Sequence, residues 1–444
     1  MSFPKYPSYK DSGVEWLGSV PSHWDLRRTG NFFEERREKV SDTDFSALSV
    51  TKGGVVPQLE TAAKTDDGDN RKKVCVGDFV INSRSDRKGS SGLSPLDGSV
   101  SLINTVIKPR AEINGKFAHH LFRSTSFQEE YYRYGKGIVA DLWTTNYSEM
   151  KNITLAMPPI SEQTAIVNVL DHETAKIDSL IAEQEKLIEL LKEKRQAVIS
   201  HAVTKGLDPN VKMKDSGVEW LGEIPEHWKI HRIKKLLNIL TDYTANGSFA
   251  SLAENVTYLD SGYARLVRLT DLREDLKNDG LYVDENAHNF LKKSELFGGE
   301  VLIANVGAYA GFACLMPHID SKATLGPNMY MMNFNNKLLT NEYALYCLMS
   351  FHAQEQLKIA ATSTAQPKLN KDDVKNVWIT LPPSLEEQEA VMLHIRKRSG
   401  QFDELIDKAT AAIDLLEERR SALISAAVTG QIDVRDFKTE SQAA

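Results

Sequence analysis

Residues 10–18 read KDSGVEWLG, and residues 214–222 read KDSGVEWLG again, letter for letter. The match continues downstream at the same offset of 204. VPSHWDLRR (20–28) stands against IPEHWKIHR (224–232), so Pro21, His23, Trp24 and Arg28 recur as Pro225, His227, Trp228 and Arg232. Such a repeat fixes the architecture before any local reading does, because each copy opens an equivalent structural unit.

A second, longer block is also written twice. Residues 158–208 begin PPISEQ and residues 382–433 begin PPSLEEQ; after one extra residue the register holds at an offset of 225. Gln163 then faces Gln388, Asp178 faces Asp403, Arg195 faces Arg420, and Ala202-Val203-Thr204 faces Ala427-Val428-Thr429. Ile166, Leu170, Ile177, Leu180, Ile181, Leu187, Leu191 and Val198 follow three-four spacing, as do Val391, Ile395, Phe402, Leu405, Ile406, Leu416 and Leu423, which predicts two long helices. Ser384 with Glu387 forms an expected capping box, and Ser161 is the matching N-cap candidate. About forty helical residues span roughly 60 Å. An apolar stripe that long must be covered, and the twin helix in antiparallel orientation is the expected partner; a parallel pairing of two chains is the alternative.

Between the blocks lie two segments with a weak common skeleton. VGDFVINSRS (76–85) resembles GGEVLIANVG (298–307), FAHHLFRS (117–124) resembles YALYCLMS (343–350), and WTTNYSEMKNITLAMPP (143–159) resembles PKLNKDDVKNVWITLPP (367–383). The whole half-chain is therefore duplicated, with constant ends and a diverged interior. Each interior mixes short β-rich runs, Gly-rich turns and short helices, and reads as a compact α/β (α+β) domain. The resulting division is 1–157, 158–208, 209–381, 382–433 and a flexible tail at 434–444.

Composition narrows the function classes. A chain of 444 residues accommodates two or three domains. It has no run of eighteen apolar residues and no secretory h-region at its start, and its three scattered cysteines form no CxxC pair, so a reduced, cytoplasmic protein is expected. The net charge of −7 is concentrated in the long helices, which carry −3 (158–208) and −4 (382–433), whereas the first interior is slightly basic. There is no GxxxxGK[ST], no Gly-rich dinucleotide or S-adenosylmethionine loop and no HExxH, and His119-His120 lacks a spaced metal-binding partner. No catalytic, cofactor or metal site is expected.

Two diverged modules on a helical ruler suit a two-part linear ligand, and duplex DNA is the expected one, its half-sites recurring along one face. In the first module Arg71, Lys72, Lys73, Arg84, Arg87, Lys88 and Ser90 supply six cations and a Gly/Ser loop able to approach phosphates. Tyr131, Tyr132, Arg133, Tyr134 and Lys136 add an aromatic-basic cluster. In the second, Arg265, Arg268, Lys292, Lys293, Asn305, Tyr309, Gln366 and Lys368 are the candidates. Trp16 and Trp220 are expected to be packing anchors.

The paired WLGxxPxHW lead-ins, the paired PP…EQ helix starts and the G-[DE]-hydrophobic strand in each module resemble the specificity (S) subunit of type I restriction–modification systems, in the family's order and over nearly the whole chain. The resemblance implies two target-recognition domains, each reading one half of a bipartite double-stranded DNA target. They would be separated by two long helices forming an antiparallel coiled coil with pseudo-two-fold internal duplication. The helix pair would set the spacer and dock two methyltransferase (M) subunits, with restriction/translocase (R) subunits in the full complex. S-adenosylmethionine, ATP and Mg²⁺ would belong to those partners, and this chain would be non-catalytic.

Overall fold

The computed structural model describes residues 3–61, 68–137, 143–218, 220–361 and 366–437. Residues 438–444 of the expected tail, and 363–365 of the STAQPKLN stretch, lie outside the described residues. The chain divides into two compact units, Met1–Glu185 with Thr410–Ala444, and Lys186–Ala409. The long helices run Ile160–Lys205 and Leu385–Val428, so each gives one part of its length to each unit.

In the first unit Ile166, Val167, Val169 and Leu170 pack with Leu423, Ile424, Ala427 and Val428, while Asp178, further along, takes Arg420 Nε at 2.8 Å. In the second, Ile199, Ala202 and Val203 pack with Val391, Met392 and Ile395, and Arg195 pairs with Asp403. Within each unit the helices therefore run antiparallel. The two ion pairs are the same pair with the helices exchanged, since 178 and 195 become 403 and 420 at the offset of 225.

The repeated lead-in makes the same object twice. Tyr9–Asp11 pairs with Ser19–Pro21, and Met213–Asp215 with Glu223–Pro225, each as an antiparallel hairpin. In the connecting loops the Asp11 and Asp215 carboxylates accept the Gly13 and Gly217 amides at 3.0 and 2.9 Å, and the Ser12 and Ser216 hydroxyls accept the Val14 and Val218 amides. These are Asx and Ser turns closed by glycines at φ +72° and +71°.

Trp24 and Trp228 are fully buried, and each donates its indole N–H to a glutamate in the first turn of its unit's long helix. Trp24 Nε1 reaches Glu162 Oε1 at 2.9 Å, and Trp228 Nε1 reaches Glu387 Oε1 at 2.7 Å. His23 and His227 contact the same carboxylates at 2.7 and 3.0 Å. Tyr6 donates a third hydrogen bond to Glu162, at 2.5 Å, and burial beside that carboxylate holds the phenol's pKa above its ordinary value. The residue 204 positions on is Asn210, so Glu387 lacks this third donor.

The expected capping box is thus only half formed. Ser384 Oγ accepts the Glu387 amide at 3.2 Å, but the Glu387 side chain is taken by Trp228 and His227. Ser161 is not the N-cap: the first long helix begins at Ile160, and Pro159 O accepts the Glu162 and Gln163 amides. The next residue is a second staple. Gln163 accepts from the Asn114 amide and donates to Glu112 O, and Gln388 accepts from the Thr340 amide and donates to Leu338 O. Asn114 and Thr340 are the N-caps of the short helices Gly115–Arg123 and Asn341–Met349.

The central sheet is also written twice. Phe79–Asn82 lies between Ser91–Leu93 and Asn104–Pro109, with Phe33–Glu35 beyond the latter. Val301–Ala304 lies between Ala313–Leu315 and Met329–Phe334, with Leu237–Asp242 beyond. Asp25–Arg28 pairs with Thr154–Met157 as Lys229–Arg232 does with Trp378–Leu381. The shared acid is a turn device: buried Asp78 accepts the Cys75 amide and binds Arg36 at 2.6 Å, and buried Glu300 accepts the Phe297 and Gly298 amides. What differs is the second layer. The first unit has a three-stranded sheet (Lys39–Val40, Arg71–Val74, Gly98–Val100) and a hairpin, Leu48–Thr51 with Gly54–Pro57. The second has a four-stranded sheet containing a parallel pair, Ala264–Val267 with Lys322–Leu325.

Trp16 packs edge-on against Phe127, with ring centroids 6.0 Å apart, whereas Trp220 is 42% exposed. The residue corresponding to Phe127 is Ala353, which removes the ring Trp16 rests on. The segment expected as a tail is docked as far as Phe437: Val434 is buried, Phe437 meets Phe3 at 5.9 Å, and the Asp433 amide donates to Pro4 O. Removing the buried Glu162 carboxylate strands three donors, so Glu162→Ala is expected to cost about 3 kcal/mol, against about 1 kcal/mol for the half-exposed Glu387→Ala, as measured by chemical denaturation.

Candidate nucleic-acid interface

The loops after Phe79–Asn82 and Val301–Ala304 are displayed by one hydrogen-bonding scheme. In the first unit Ser83 O accepts the Thr145 amide at 2.9 Å, Ser85 N donates to Trp143 O at 3.0 Å, and Arg84 bridges Thr144. In the second, Asn305 O accepts the Leu369 amide at 2.8 Å, Gly307 N donates to Pro367 O at 2.9 Å, and Val306 bridges Lys368. Each contact has its counterpart at the offsets read from the repeat, 222 and 224. The scaffold of the loop is constant; its side chains are Arg84, Ser85, Asp86, Arg87 and Lys88 in one unit and Val306, Gly307, Ala308, Tyr309 and Ala310 in the other.

The first loop carries its cations outward. Arg87 and Lys88 are exposed and Arg84 is half-buried; both arginines lie near Asp86, at 3.2 Å for Arg84 and 3.8 Å for Arg87, and Lys88 pairs with Glu129. Lys136 is brought beside Arg84 through Thr144 and pairs with Glu149 at 3.0 Å. Arg133 is held bidentately by Glu130 at 2.7 and 2.8 Å, which raises its pKa further. Ser85, Asp86, Lys88, Tyr132, Arg133 and Trp143 line an open cleft of about 960 Å³ on one side of the loop. Ser90 is buried behind it, and its carbonyl accepts the Asn82 amide.

Of the Arg71–Lys73 group only Arg71 comes near this loop, as part of the lining of a cleft it shares with Asp86 and Arg87. Arg71 is 4% exposed and donates to Ser99 Oγ and Ser99 O at 2.8 and 3.1 Å. Lys72 donates to Asn104 O at 2.7 Å, and burial lowers its pKa. Lys73 pairs with Glu38 at 2.9 Å over the Phe45 ring. In the second unit Arg265 is likewise internal, 8% exposed and bonded to Leu276 O and Asn278. These two arginines are corrections to the surface expected of them: both are buried in their sheets, Arg71 tied to Ser99 and Arg265 to Leu276 O and Asn278, with Arg265 Nε left without a partner among the described residues.

The remaining candidates in the second unit are dispersed. Arg268 closes a capping box with Asp271. Lys292 pairs with Glu295 at 2.7 Å and Lys293 reaches Ala245 O at 3.2 Å. Asn305 is buried at the loop base, while Gln366 and Lys368 are exposed on the adjoining strand-like segment. Tyr309 is exposed, with the Arg273 guanidinium 4.4 Å above its ring. Sequence reading missed Arg273, because 36 residues separate it from Tyr309 and no local signal joins them. Among the described residues no cluster of three His, Cys, Asp or Glu side chains could hold a metal ion, and no helix is long and apolar enough to cross a membrane.

Comparison with known proteins gives this duplicated frame a class. Residues 225–408 match a family model described as the type I restriction modification DNA specificity domain. Over 465 aligned residues, covering 98% of this chain and 99% of the relative, it is 23% identical to the type I restriction enzyme MjaVIII specificity subunit of Methanocaldococcus jannaschii. It is 22% identical over 382 residues to the EcoKI specificity subunit of Escherichia coli K12, covering 81% of this chain and 76% of that one. A chain from the structure described as the basis of "complex assembly and conformational transition of the type I R-M system" shares the fold, with a TM-score of 0.65 at 17% identity over 92% of this chain and 98% of that one. Residues 225–408 thus carry the specificity domain of type I restriction–modification systems, and the chain is similar over nearly its whole length to type I restriction enzyme specificity subunits.

Arg71→Ala and Arg265→Ala are expected to lower the unfolding free energy by about 2–4 kcal/mol, because each leaves buried carbonyls unpaired, whereas exposed Arg87→Ala changes it by less than about 0.5 kcal/mol. Urea denaturation of the three variants checks the distinction.

Proposed function

We propose that this chain supplies the DNA specificity of a type I restriction–modification complex and is itself non-catalytic. Residues 1–157 and 209–381 act as two target-recognition domains, each reading one half of a bipartite duplex target. The helices within 158–208 and 382–433 set the spacer and dock two methyltransferase subunits. Restriction/translocase subunits complete the assembly. S-adenosylmethionine serves the methyltransferase subunits, and ATP and Mg²⁺ serve the restriction subunits.

The observation that carries this reading is the loop pair after Phe79–Asn82 and Val301–Ala304. One set of backbone hydrogen bonds presents two unrelated sets of side chains, cationic in one unit and apolar-aromatic in the other. A constant frame with exchanged side chains is what two readers of different sequences require: backbone contacts position, and side chains at base edges specify. The acidity of the long helices suits surfaces that meet protein rather than phosphate.

Exchange of residues 21–157 for the corresponding module of another family member, in a strain expressing the methyltransferase partner, is expected to change one half of the methylated motif and leave the other intact. Changes in both halves would refute the division. Insertion of four residues in one long helix is expected to alter the spacer; an unchanged spacer would remove the ruler role. Arg84→Ala or Arg87→Ala is expected to weaken specific binding by about 1–3 kcal/mol if that residue meets a base, as measured by fluorescence anisotropy of the complex.

A further inference from the structure

Strand alternation exposes a contrast between the units that the shared frame does not require. In the first, Val80 and Val106 are register partners and pack beneath the hairpin with Leu48 and Val55. Two residues on, and so on the same face, the partners are Asn82 and Asn104, 7% and 5% exposed. In the second unit the same register gives Leu302 with Met331 and then Ala304 with Met329, and Leu302, Met329 and Met331 share one apolar cluster. One unit therefore continues its core to the strand ends, while the other buries two amides there.

Buried amides destabilise a fold unless their polar atoms are bonded. Asn82 Oδ1 accepts the Arg84 amide at 3.1 Å. Asn104 Nδ2 donates to Ser101 O and Oγ at 3.1 and 3.0 Å, which fixes the orientation of the amide, because a carbonyl can only accept. Asn104 Oδ1 is buried and accepts no hydrogen bond among the described residues. Both asparagines line a cleft of about 760 Å³ together with Ser49 of the hairpin, Gln58 just after it, the buried Arg71, and Asp86 and Arg87 of the loop.

We infer that this cleft is the base-reading site of the first module. It takes the major-groove edge of one or two adjacent base pairs of one half-target, read by Asn82, Asn104 and Gln58, with Arg87 at its mouth. The inference rests on the DNA-specificity reading above and deepens it. Carboxamides match the donor-acceptor pattern of a base edge, and the spare Asn104 acceptor selects an exocyclic amino group, adenine N6 or cytosine N4. The second unit fills the same place with Met329, so its module reads through other residues.

The test uses the full chain with its methyltransferase partner and base-resolution mapping of genomic methylation. A wild-type complex that methylates without sequence preference overturns the specificity reading itself, and this inference with it. Given a wild-type motif, Gln58→Ala and the isosteric Asn104→Asp are each expected to lower discrimination about tenfold at one or two adjacent positions of a single half, the other half being unchanged. Gln58 is exposed, so its variant keeps the test decisive even if Asn104→Asp fails to fold. An unaltered motif in folded Gln58→Ala and Asn104→Asp complexes overturns the assignment, as does methylation lost evenly across both halves; if only Gln58→Ala folds, its unaltered motif is sufficient to overturn it.

Discussion

A carboxylate at the start of each long helix holds its unit together. A buried charge is tolerable only where donors surround it, and a helix N-terminus already favours negative charge there. Glu162 and Glu387 meet both conditions by taking an indole N–H and a histidine ring from a lead-in roughly 140–160 residues earlier in the chain. The adjacent glutamine ties the same helical turn to the cap of the following short helix. Two neighbouring side chains thus fix the lead-in, the long helix and the interior against one another. This explains why the repeated phrase is followed by a repeated His-Trp pair in both halves.

With that junction fixed, the interior is free to vary. The four-stranded sheet, its flanking strand pairs and the loop-anchoring bonds recur, while the second layer is rebuilt with different strand numbers and directions. The variation is chemical as well as topological. The loop that is cationic in one unit is apolar and aromatic in the other, and a strand end that is amide-lined in one is sealed by methionine in the other.

Much of this was legible in the sequence, for identifiable reasons. Identical nonapeptides and a common helical period announce the duplication without any structure, and the weak skeleton through VGDFVINSRS and GGEVLIANVG proves to be the central strand of each sheet. The errors share one cause: partners distant in sequence. Ser-x-x-Glu at 384–387 reads as a local capping box, but Trp228 outcompetes the backbone for Glu387. Arg71 and Arg265 look like surface cations, but both are buried in their sheets against Ser99 and against Leu276 and Asn278. Identical Trp16 and Trp220 differ in burial: Trp16 has the Phe127 ring against it, whereas the position equivalent to Phe127 is Ala353 and Trp220 has only His352 for a ring neighbour among the described residues. Within the candidate interface, cationic residues stand out in sequence, whereas Asn82 and Asn104 do not, because their meaning depends on register partners.

The packing of residues 410–437 against the amino-terminal module bears on the order in which the protein is made. Residues 186–409 form a contiguous unit, complete in sequence as soon as its last residue is synthesised. The other unit begins before it and draws on residues made after it. Gly430 sits so close to Pro21 that a Cβ there would lie 2.4 Å from the proline ring, and Val434 completes the core around Trp24. The amino-terminal module therefore waits, unclosed, through synthesis of the whole second half. A chain that stops before residues 410–437 carries a finished second unit and an open first one.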